Sequence, residues 1–136
     1  MKKIFAAALL TLTIFGCADN KQQEKEVYNK VIELHDKVMA DKDALIKNKM
    51  QLDTLLAQPT LAVKDHDVAL NLSKTATAAD SAMDDWMHHF EPDYSAKPHD
   101  EAMKYLNDQH AQIVKIDSLT KTAVEASNKF LLTHKK

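Results

Sequence analysis

Met83-Asp84-Asp85-Trp86-Met87-His88-His89-Phe90, with the run Glu91-Pro92-Asp93-Tyr94-Ser95-Ala96-Lys97-Pro98 that follows it, is the stretch on which the fold turns. Trp86 is the only tryptophan of the chain. Backward from Phe90, a stripe of Trp86, Met83, Ala79, Ala76, Leu72 and Val68 keeps the three-and-four spacing of one helix face. Forward, Pro92 breaks that helix. Pro98 then fits the first turn of another, where Asp100 and Glu101 favour the N-terminal end. The stretch is a corner between two helices, expected over about 64–90 and about 98–134.

The third helix carries Ala102, Leu106, Ile113, Ile116, Ala123 and Phe130 along its seam, flanked by Met103, His110, Val124 and Leu131. Upstream, Val27, Val31, Leu34, Val38, Leu45, Leu52 and Leu55 form a first stripe, interrupted by polar Asp41 and Asn48. That helix is expected over about 22–57, ending before Pro59. The fold class is all-α, an up-down-up three-helix antiparallel bundle of coiled-coil character. Folding back about Pro59 sets Leu45 against Leu72, Leu34 against Met83, and Asp41 against Ala76 between the hydroxyls of Thr75 and Thr77. Folding about Tyr94 sets Trp86 against Met103, Met83 against Leu106, Ala79 against His110 and Ala76 against Ile113. Tyr28, Trp86, Phe90, Tyr94 and Tyr105 then gather at one end.

Composition supports the same class. The single Gly and single Cys are neighbours, Gly16 and Cys17, so everything after them lacks both. A body without Gly has no easy route to positive φ, which argues against tight hairpins and phosphate-cradling loops. Every basic residue is Lys, and the absence of Arg removes the usual bidentate reader of phosphate and guanine. Nucleic acid is therefore not an expected partner.

The N-terminus reads as an address. Lys2 and Lys3 precede an apolar run from Ile4 to Phe15, too short for a spanning helix of about 20 residues but right for an export signal. It ends in Ile14-Phe15-Gly16-Cys17, which resembles a bacterial lipobox, with Phe15 bulkier than is usual there. The resemblance implies cleavage before Cys17, acylation of its sulfur (palmitate among the chains) and export. Two or more acyl chains give the anchoring that one cannot. The expected organisation is a signal peptide over residues 1–16, lipidated Cys17 and a tether over 17–24, and the bundle over 25–136. Without the leader the chain holds 16 Lys against 20 Asp and Glu, a net charge of −4. Asp19 stands two residues beyond Cys17 rather than beside it, which favours the outer membrane over retention in the inner one.

Two constellations are candidate sites. His88, His89 and His99 with Met87 and Met103 combine imidazole and thioether, donors suited to copper or, through the imidazoles, zinc. Trp86, Phe90 and Tyr94 form a candidate partner surface. Neither constellation matches a strict ligand motif, no nucleophile–base set stands out, and catalysis is not expected. His35, His110, Asp41 and Asn48 read as polar residues that fix helix register.

The lipobox, the heptad-like helices, Ala82-Met83-Asp84-Asp85-Trp86-Met87-His88-His89-Phe90 and Glu101-Ala102-Met103-Lys104-Tyr105-Leu106 together look like a group of small lipoproteins of flavobacterial type. Many of that group carry the automatic label "viral A-type inclusion protein", which reflects coiled-coil similarity. The resemblance implies no activity and no cofactor beyond the covalent lipid. The expectation is a membrane-attached binding or structural module with an envelope protein as its partner. The alternative is a copper- or zinc-binding envelope lipoprotein.

Overall fold

The computed structural model of the protein describes residues 15–134, with side chains from Asp19 to His134. Residues 1–14 of the expected leader and the Cys17 side chain lie outside the described residues, as do Lys135 and Lys136. Three helices, α1 (Phe15–Leu56), α2 (Val63–His89) and α3 (His99–Thr133), pack against one another, with no strand among the described residues. The all-α three-helix bundle holds. α1 and α3 run parallel, tied by Glu24 to His99 near one end and by Asn48 to Ser127 farther along, and α2 returns antiparallel between them. At 1.5 Å per residue, α1 is about 63 Å long and α3 about 52 Å.

The core falls into three layers. Val31, Val38, Met83, Trp86, Ile113 and Ile116 fill the first. Leu45, Ala76, Ala79 and Ala123 form a slim middle. Leu52, Ala69 and Leu131 close the third, at the tip near Pro59. Polar pins cross between helices. Asn48 Nδ2 donates to Ser127 Oγ at 2.9 Å and to Asn128 Oδ1 at 3.0 Å. Lys42 reaches Asp80 at 2.9 Å and Asp84 at 2.6 Å on α2, and Lys37 reaches Asp117 at 3.2 Å on α3. Asn48 thus fixes register as expected. Asp41 does not find the Thr75 and Thr77 hydroxyls, because both donate back to carbonyls of their own helix, Asn71 and Ser73.

Register departs from the expected folding in two ways. Between α1 and α2 the shift is one turn, since Leu45 shares its layer with Ala76 and Ala79 while Leu72 packs beside Leu52. The seam of α2 runs through small residues, Ala69 and Ser73, and leaves Val68 38% exposed. Between α2 and α3 the shift is larger. Ile113 meets Met83 and Trp86, not Ala76, and Ala76 shares a layer with Ala123. The cause is the corner, which climbs alongside α1 instead of folding back about Tyr94. Phe90 turns extended at φ −75° and ψ 121°, and Pro98 is extended at φ −56° and ψ 152°. Tyr94 packs on Tyr28 between them. α3 therefore begins level with Glu24, beyond the end of α2.

The expected tether over 17–24 is also corrected. α1 is helical from Phe15, and Glu24 is buried in the bundle at 1% exposure. Glu24 lies seven residues before Val31, in the same heptad position as Val31, Val38, Leu45 and Leu52.

Candidate functional site

The rare residues do assemble, at the end of the bundle where α1 and α3 start. Trp86 stacks on Phe90 with ring centroids 4.7 Å apart, and His35 tilts against its ring at 6.0 Å. Phe90 reaches Tyr28 at 6.3 Å and Tyr105 at 6.4 Å, and Tyr28 meets Tyr94 at 5.7 Å. Such offset contacts each add modestly beyond area burial. The corner is locked by the Tyr105 hydroxyl, which accepts from Glu91 N–H at 2.7 Å and donates to the Glu91 carbonyl at 3.1 Å. Lys97 lies 5.4 Å above the Tyr105 ring. Burial pushes the phenols of Tyr94 and Tyr105 up from their ordinary range.

Of the expected partner surface, Trp86 is withdrawn. It is only 4% exposed and belongs to the core, whereas Phe90 and Tyr94 stay half-buried. Its indole Nε1 finds no acceptor among the described residues. An open cleft of about 310 Å³ lies beside it between α2 and α3, walled by Ala82 and Ile116 and rimmed by Asp85, His89, Gln112 and Lys115.

The metal candidates sit on two helices, Met87, His88 and His89 at the end of α2 and His99 and Met103 at the start of α3. His88 and His89 each turn Nδ1 back onto their own helix, at 2.7 Å from the carbonyls of Asp84 and Asp85. Met87 packs against the first core layer, and Met103 is half-buried on α3. Among the described residues, no three His, Cys, Asp or Glu side chains come together to hold an ion.

His99 has a different partner. Its Nδ1 donates to Glu24 Oε1 at 2.9 Å, while Lys21 Nζ donates to Oε2 at 2.9 Å. Lys21 and His99 hold the Glu24 carboxyl below its ordinary value against the opposing effect of burial. Glu24 is the buried carboxylate of the described residues, and both of its oxygens are engaged. This pair went unread in the sequence because Glu24 sits in a charged run, although its heptad position marked it. What the geometry performs is closure: it ties the first turns of α1 to the start of α3.

No protein family, curated protein or solved structure matches this chain.

Proposed function

We propose that the chain is a lipid-anchored bacterial envelope lipoprotein that acts as a non-catalytic helical binding or structural module. The observation that carries this reading is the position of Cys17. The chain's only cysteine directly follows a basic and then apolar leader, behind Ile14-Phe15-Gly16. With no second cysteine, a disulfide within the chain is impossible. No helix of the described residues is long and apolar enough to cross a membrane, and acylation would supply attachment without one.

The module reading is supported by what the rare residues do. Trp86, Phe90, Tyr28, Tyr94 and Tyr105 pack on one another, and His88 and His89 bond to carbonyls of their own helix. Each has a structural task at the corner. The residues after Cys17 favour the outer membrane over the inner one, and an envelope protein is the partner class.

Replacement of Cys17 tests the anchor. Cys17→Ala should abolish palmitate labelling in cells and move the protein from the membrane fraction to the soluble one. Labelling that survives the substitution would overturn the reading. Capture from native envelopes with the acylated protein as bait then identifies the partner.

A further inference from the structure

The far end of α3 closes differently from its start. His134 caps α3 and stacks on Phe130, with ring centroids 4.2 Å apart. Its Nδ1 lies 3.0 Å from the Phe130 carbonyl oxygen and 2.9 Å from Thr133 Oγ1, whose own hydroxyl donates to that carbonyl at 2.7 Å. Its Nε2 lies 3.4 Å from a carboxylate oxygen of Asp65 in the first turn of α2. Acceptors therefore stand at both ring nitrogens. A neutral imidazole carries one N–H, so either tautomer turns a lone pair toward an oxygen, and only the imidazolium donates to both. A cation at a helix C-terminus is also favoured by the unpaired carbonyls there.

Among the described residues, the groups facing the ring add one opposite charge, that of Asp65. Asp65 faces the ring from α2, and Gln51 and Thr54 from α1 are uncharged. With Leu55 and Leu131, these two and His134 line a cleft of about 230 Å³ between α1 and α3.

We propose that His134 and Asp65 form a proton-operated clasp at the tip of the bundle, shut while His134 is protonated and released when it loses its proton, freeing the last turn of α3 and widening the cleft beneath it. The direction agrees with the ring's environment. The Phe130 carbonyl, with help from Asp65, raises the His134 value above the ordinary 6.5. A raised histidine contributes stability in full below its unfolded value and loses it as pH rises through the folded one. The clasp thus opens above the ordinary imidazole value, and it stands independently of how the chain is anchored.

Amide hydrogen exchange by NMR on the full chain tests this, with protection corrected for the intrinsic pH dependence of exchange. Protection of Leu131 to His134 should fall several-fold between about pH 5.5 and about pH 8.5, either side of the ordinary imidazole range. His134→Gln should flatten that response, and Asp65→Asn should weaken it and lower the titration midpoint of the His134 ring. Equal protection at both pH values would overturn the clasp. So would a His134→Gln chain that keeps the wild-type fall, or a His134 midpoint unmoved by Asp65→Asn.

Discussion

Each end of α3 is closed by a histidine against a carboxylate on another helix, yet the two closures are built in opposite senses. At the start, Glu24 is buried and receives two donors, Lys21 and His99. At the tip, His134 is the group that collects oxygens, the Phe130 carbonyl and Thr133 Oγ1 at Nδ1 and Asp65 at Nε2, and Asp65 is 37% exposed on its side chain. Where a carboxylate collects donors, the charged acid is favoured and its value falls; where an imidazole collects acceptors, the charged base is favoured and its value rises. The stabilisation at Glu24 is present above the ordinary 4.5 and is lost as pH drops through its lowered value. That at His134 is present below 6.5 and is lost as pH climbs through its raised value. One end is vulnerable to acid and the other to alkali.

The ends also differ in bulk, and substitutions sharpen that contrast. The largest effect belongs to Trp86→Ala, which should cost about 3–5 kcal/mol in denaturant unfolding, as for other buried aromatics. Trp86→Phe should cost less than about 1.5 kcal/mol, because it keeps most of the volume and removes an N–H that has no acceptor among the described residues. At the tip, Phe130 is half-buried, so Phe130→Ala should cost about 1–2 kcal/mol. It should also disturb the titration of His134, the ring it stacks on. The smallest stability effect is that of His99→Ala, about 1 kcal/mol for one donor lost to Glu24. Its signature is a shallower loss of stability in acid, since Glu24 would titrate nearer its ordinary value and less stabilisation would remain to be lost. An unchanged acid limb would mean that His99 does not hold Glu24.

The three helices and two corners were legible because periodicity and proline placement report local structure. The α2 seam was misread where bulk was taken for burial: close approach of α1 and α3 needs Ala69 and Ser73 in the seam, which turns Val68 outward. The α3 register was hidden because it depends on the path of residues 90–98, set by the contacts of Tyr94 with Tyr28 and of Tyr105 with Glu91. Spacing along one helix carries no trace of such contacts. At the candidate site, the aromatic gathering and the place of Trp86 in the buried stripe were both legible, and that burial leaves only Phe90 and Tyr94 of the candidate surface half-buried. Glu24 was readable in principle, as one more step of the heptad through Val31, Val38, Leu45 and Leu52. Asp65 and His134 meet only through tertiary structure, and nothing in their sequence neighbourhoods announces the pair.

The opposed pH responses of the two ends are tested most directly by peptide-resolved hydrogen exchange on the full chain, converted to protection factors. The comparison runs from about pH 6 down into the region below the ordinary carboxylate value, where the lowered Glu24 titrates, and up to about pH 8.5. Acid should loosen the first turns of α1 and α3 around Glu24 and His99, while at the tip the His134 imidazolium keeps its bond to the Phe130 carbonyl even where the Asp65 carboxylate takes up a proton. Alkali should loosen the last turn of α3 while the Glu24 end stays protected. If both ends gain or lose protection together, the two closures are not the opposites described.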